Sequence, residues 1–298
     1  MRLYSRRQFI RQSSTMMAAA ATGFAAQQHT EHIAKVKNAS PALLVNKAVE
    51  LLGGMDSFVK PGQSVLIKPN IGWDRMPEQA ATTNPELVAE VVAMCRKAGA
   101  KKIRVIDRTC NSARRCYRRS GIEEAARAAG AEVRFVVESR FRDTPIPQGK
   151  SLTSWLIYKD ALDFEVLINI PIAKTHNISG VTLGMKNLMG LLGGDRGELH
   201  KGFDDKIVDI NSVIHPALTI VDAYRILMHN GPSGGSLEDV VKKEIVFAGR
   251  DPVAVDAFAA MLFEINPDTL GYLANANQRG LGSLDINDSR LKTFDFRA

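Results

Sequence analysis

The sequence lacks any apolar run long enough to cross a bilayer, which takes about 20 residues. Its nearest approach, STMMAAAATGFAA at residues 14–26, is too short and too poor in Leu and Ile, so no membrane span is expected in the mature chain. Cysteine is scarce, with three in 298 residues. Cys95, Cys110 and Cys116 have the spacing of neither a zinc ribbon nor an iron–sulfur ligand set. The glycine-rich stretch at 231–235 has neither P-loop nor dinucleotide-fingerprint spacing, and no internal repeat stands out. One local absence is more telling. The stretch NIPIAKTHNISGVTLGMKN, residues 169–187, carries Lys174, His176 and Lys186 and no acid at all.

Ahead of the Ala-rich tract stands SRRQFIR, residues 5–11. A twin-arginine pair, a bulky apolar residue and a weakly hydrophobic run read as a Tat-type signal peptide over residues 1–26. The expectation is export to the periplasm or another exported location, with the Tat translocon as a partner during transit and cleavage near Ala25 or Ala26. Removing that segment takes away Arg2, Arg6, Arg7 and Arg11 and no acid, so the net charge falls from +7 to +3. A nucleic-acid partner is therefore disfavoured. The remaining arginines at 104, 108, 114, 115, 118 and 119 read as a solvated face. In an exporting compartment Cys110 and Cys116 are candidates for a disulfide, while Cys95 falls in the apolar pattern of a helix.

Beyond residue 26 the chain alternates strand-like and helix-like segments. SVLIKPN (64–70), KKIRVID (101–107), EVRFVV (132–137), FEVLINI (164–170), ALTIVD (217–222) and EIVFAG (244–249) read as strands. Asn84 before Pro85 predicts a helix start, closed by Gly99. Ser120 and Glu123 have capping-box spacing for a helix closed by Gly130. Helical patterns lie at 185–192, near 204–213 and at 252–264. This order predicts an α/β fold: a largely parallel or mixed sheet with helices on both faces. DTPIPQGKS (143–151) is the best linker, which divides the chain into an N-terminal α/β lobe at 27–150 and a C-terminal α/β lobe at 151–298.

In open parallel sheets ligands sit beyond the carboxyl ends of the strands. The residues found there are Lys68 and Asn70, then Asp107, then Lys174 and His176, then Asp222, with Arg250 and Asp251 after the last strand. Asp251 before Pro252 is most simply a helix cap. The rest point to a site for a small anionic ligand, carboxylate or phosphate. Lys68, Lys174 and Lys186 would hold the anion, and Asn70 and Asn187 would orient it. His176 is the candidate general acid or base, positioned by Asp107 or Asp222. An anion at the start of the MKNLMGLL helix would use backbone N–H groups as well as Lys186. Asp222 is also a candidate ligand for a divalent metal. The polar segment GGDRGELHKG (193–202) is an exposed loop by default, or a lid that brings Arg196 and His200 to the ligand.

LIKPN, TTNPELV, PIAKTH, GMKN and DPVAVDAFA, in this order, resemble domain-of-unknown-function family 362 from about Val65 to Ala260. The resemblance implies an α/β fold and no particular reaction. Some members carry ferredoxin-like four-cysteine segments, and this chain has none. A looser likeness to nickel-dependent lactate racemase proteins assigns no catalytic residue. The functional expectation is an exported enzyme acting on a small anion through Lys binding and His acid–base chemistry. The alternative is a carrier or assembly protein that holds a metal or cofactor without turnover.

Overall fold

A computed structural model describes residues 32–298; the segment read as an export signal, residues 1–26, lies outside them. Ile33–Lys37 (β1) and Pro41–Leu51 (α1) come first, then Ser64–Pro69 (β2) and Pro85–Lys97 (α2). Asn84 caps α2, its side chain accepting the Glu86 amide at 2.9 Å, and Gly99 turns the chain away with a φ of +85° that favours glycine. Lys102–Val105 (β3) leads into Ala113–Arg119 (α3) and Ile122–Ala128 (α4). Ser120 precedes α4 by two residues and its hydroxyl accepts the Ile122 amide at 3.4 Å, but the cap position itself falls on Gly121. Ser120 ends α3, and Gly121, at φ +71°, redirects the chain before α4 begins. Glu132–Val133 (β4) is only two residues long and lies at the sheet edge with β3 as its partner on one side.

Phe141–Pro145 (β5) and Ser154–Tyr158 (β6) form a separate antiparallel hairpin. The expected linker is the second half of β5 and the connection to β6. Lys159–Asp163 (α5), Val166–Ile170 (β7), Ile172–His176 (β8) and Gly180–Thr182 (β9) follow, then Gly184–Asn187 (α6) and Phe203–Asn211 (α7). From α7 the buried Asp209 accepts the amides of Lys150, Ser151 and Leu152 and pairs with Arg279 at 2.7 Å, which pins the hairpin connection. Leu218–Leu227 (β10), Val240–Gly249 (β11), Pro252–Ala260 (α8), Gly271–Gln278 (α9) and Leu291–Asp295 (β12) complete the order.

Among the described residues these strands make one ten-stranded mixed sheet. Its order is β12-β1-β11-β10-β7-β2-β3-β4, with β8 pairing β10 and β9. Strands before and after residue 150 interleave in it, and the described residues form one unit by their contacts. The boundary expected at 150 and 151 therefore falls inside a hairpin and separates no lobes. No helix among the described residues is long and apolar enough to cross a membrane.

Period-two alternation sorts the strand residues between two cores. Val65, Ile67, Ile168, Ile170, Leu218 and Ile220 point into one core with α1 and α2. Leu66, Leu167 and Val221 point into the other, with α6, α7 and α8. Lys68 has the parity of Leu66, and Asn169 that of Leu167, so both stand on the α6 side. Asp222 has the parity of Leu218 and Ile220. It stands on the α2 side.

Candidate functional site

Beyond the ends of β2, β3 and β8 the chain encloses a cavity of about 430 Å³. Its floor is a buried polar network. Lys68 and Asp107 are 1% and 3% exposed and pair at 2.8 Å. Lys68 Nζ also donates to Pro69 O at 2.6 Å and Asn187 Oδ1 at 3.1 Å. Burial lowers the Lys68 pKa, and Asp107 opposes that shift. Asp107 accepts the Ile71 amide with its other oxygen. Lys68 faces Asn169 across the β2–β7 register, and Asn187 Nδ2 bridges to Asn169 Oδ1 at 2.8 Å and to Lys68 O at 3.2 Å. Asn70 Nδ2 donates to Asn187 Oδ1 at 3.0 Å. Gly190 presses on this floor: a Cβ there would lie 1.8 Å from Asp107 Oδ1, an approach that requires glycine.

The wall is different in kind. In β8, Lys174 and His176 are two apart and share a face, while Thr175 turns the other way and donates to Leu227 O. Lys174 is 1% exposed, and its Nζ donates to Ala81 O at 2.6 Å and Asn70 Oδ1 at 3.3 Å. Lys186 is 6% exposed. Its Nζ lies 3.7 Å from Met189 Sδ and 4.5 Å from the centre of the Phe203 ring. Among the described residues neither lysine forms an ion pair with a carboxylate, whereas Lys68 does. Burial lowers both to about 7, with like-charge repulsion adding to the shift: from Lys68 on Lys174, from Lys174 on Lys186.

His176 Nδ1 accepts the amides of Ile178 and Ser179 at 3.1 and 3.4 Å. An accepting Nδ1 carries no proton, so the neutral ring bears its hydrogen on Nε2. Burial first, then Lys186, His200 and Lys174, lower its pKa to about 3. At neutral pH His176 therefore presents a hydrogen-bond donor to the cavity, where an acid–base role was expected of it. Neither Asp107 nor Asp222 positions it; the backbone does. His200 stacks on His176 with ring centres 5.4 Å apart. Its Nδ1 is buried without a partner, as is Thr182 Oγ1, from a residue 4% exposed. Thr182 reaches the cavity because β9 sets it opposite Lys174. The sequence reading missed it, although the short Gly180 turn was the signal for a hairpin.

Lys68, Asn70, Asp107, Lys174, His176, Lys186, Asn187, Arg196 and His200 all line the cavity. Asp222 does not. Its oxygens accept the amides of Asn84 and Tyr224 at 2.7 and 3.0 Å, on the opposite face of the sheet, where burial raises its pKa to about 6. Among the described residues no group of three or more His, Cys, Asp or Glu could hold a metal ion, so the donor set for the divalent cation expected at Asp222 does not form. Arg196 spends its guanidinium on Arg108 O and Thr109 O, which ties segment 193–202 down as a cavity wall. The start of α6 binds no anion either. Asp256, fully buried, accepts the amides of Gly184 and Met185 at 2.6 and 2.9 Å. Asp251 caps α8 as expected, accepting from Val253 and Ala254.

Cys110 lines the cavity at its exposed end, next to Trp73 and Arg108. Cys116 is buried, and all three cysteines are free, so the candidate 110–116 disulfide is not formed. Trp73 and Pro232 enter from loops whose sequence carried no signal. Of the arginines read as a solvated face, 114, 115, 118 and 119 are exposed. Arg104 is buried against Glu132 and Asp160, each at 2.6 Å.

The Domain of unknown function (DUF362) family matches residues 65–261, which span β2 to α8 and so all of the site's strands. The chain belongs to the DUF362 family. A DUF362 chain of this kind is 29% identical over 241 residues to the thylakoid-associated protein sll1697 of Synechocystis sp., covering 78% of this chain and 73% of that protein. Among solved structures, the lactate racemase apoprotein from Thermoanaerobacterium thermosaccharolyticum superposes with a TM-score of 0.45 at 13% identity over 76% of this DUF362 chain. A structural-genomics crystal structure from Thermotoga maritima superposes at 0.40 with 10% identity over 80%. The chain spans 55% and 58% of the lengths of those two proteins.

Proposed function

We propose that this DUF362 protein is an exported enzyme that acts on a small carboxylate or phosphate. The observation that carries the reading is the pair Lys174 and Lys186, buried in one cavity and, among the described residues, without a carboxylate partner. A buried cation without an anion is costly, and a bound anion removes that cost. Lys174, whose Nζ is oriented by two oxygen acceptors, is the anion holder. The Nε2–H of His176 and the hydroxyl of Thr182 are further donors. Among the described residues Lys186 has no oxygen acceptor, and burial beside Lys174 lowers its pKa to about 7, so its amine is free to give up a proton. At neutral pH it supplies the basic group that His176 cannot. Export rests on the SRRQFIR motif. The metal-carrier alternative has no donor set among the described residues to support it.

Calorimetric titration of the purified protein with oxalate and with inorganic phosphate tests the anion site. Binding of one equivalent, weakened at least tenfold in Lys174→Met, is the expected result. No binding of either anion across pH 6 to 8 would remove the reading.

A further inference from the structure

We propose that Lys186 is a nucleophile that forms an imine with a carbonyl-bearing carboxylate, so that the substrate class is a small 2-oxo acid or aldehyde acid. This rests on the anion-site reading above and adds to it the electrophile. Lys186 Nζ lies 3.7 Å from Met189 Sδ and 4.5 Å from the centre of the Phe203 ring, lines the cavity, and among the described residues donates to no oxygen. An amine in an apolar niche beside another cation is the setting in which lysine becomes a nucleophile at neutral pH. Its pKa of about 7 is consistent with that geometry. Lys174 and the His176 Nε2–H face the same cavity and suit the carboxylate of the same molecule.

The step balances within the chain and its substrate. The Lys186 lone pair forms the C–N bond to the carbonyl carbon. Both amine hydrogens then leave with the carbonyl oxygen as water. Uptake of one proton from solvent gives the iminium, and the Phe203 face, already 4.5 Å from Nζ, stabilises that cation. No oxidant or reductant is needed.

Glyoxylate with sodium borohydride tests it, since hydride adds to the iminium carbon and makes the link permanent. Intact mass and peptide mapping of the full chain should show one adduct per chain, on Lys186, suppressed by oxalate and absent from Lys186→Arg. The trapping rate should rise with pH through a midpoint near 7, where a solvated lysine would show about 10.4. Adducts scattered over surface lysines, an adduct on Lys174, or no adduct in a protein that still binds oxalate would overturn the imine and leave the anion site standing. Loss of oxalate binding together with loss of the adduct would overturn both.

Discussion

Two kinds of buried lysine share this cavity, and substitutions separate them. Lys68 is paired to Asp107 at 2.8 Å, so Lys68→Met leaves a buried carboxylate without its cation and should cost about 3–5 kcal/mol. Lys186 is compensated by no anion, so Lys186→Met should leave the ligand-free protein as stable as the parent or more so. Urea unfolding of the two variants reads the contrast directly. The same residue dictates a pH dependence. Its folded pKa of about 7 lies below the ordinary lysine value of 10.5, so between those values the unfolded state binds the extra proton. Stability then rises with pH across that window, on the order of a few kcal/mol in all. Below about 7 the group adds no slope. Unfolding at pH 7 and pH 9.5 should show the gain in the parent and a smaller gain in Lys186→Met; equal gains would sink the assignment.

At the level of elements, the site depends on a four-residue helix that could not hold its own position. The α6 helix, Gly184–Asn187, carries both Lys186 and Asn187, and its first amides are satisfied by Asp256 on α8. Asp256→Ala leaves two buried N–H groups unpaired, at about 1–3 kcal/mol each. It should lower the melting temperature and also weaken oxalate binding, because the helix that presents Lys186 is no longer anchored. A variant that melts early yet binds oxalate as tightly as the parent would show that α6 keeps its place without the cap. The motif DPVAVDAFA thus joins two caps in one segment: Asp251 for its own helix and Asp256 for a distant one. Only the first was legible in sequence, from the Pro that follows it. The partner of Asp256 lies 72 positions away, and no local pattern reports such a distance.

For the molecule as a whole, the described sheet carries the candidate site on one face and the core packed against α1 and α2 on the other. That division is where the sequence reading of Asp222 failed. Listing polar residues at strand ends picked out Lys68, Asp107, Lys174 and His176, which share one cavity, yet it ignored parity, and parity sends Asp222 to the α2 face. Export remains a proposal at this scale. Arg6→Lys with Arg7→Lys should leave precursor in the cytoplasm, read by fractionation and immunoblotting, and normal periplasmic accumulation of that variant would remove the Tat assignment.

The sequence by itself determined the α/β class, the family motifs and the gathering of cations after a buried strand, because periodicity and strand-end chemistry are local properties of the chain. Tertiary structure alone decided which cation is paired, which histidine nitrogen holds the proton, and that Asn70 and Asn187 belong to the floor. Those facts turn on partners such as Asn187 for Lys68, 119 positions apart, and on burial. Desolvation moves a lysine to about 7 only when the surrounding chain has excluded water from it.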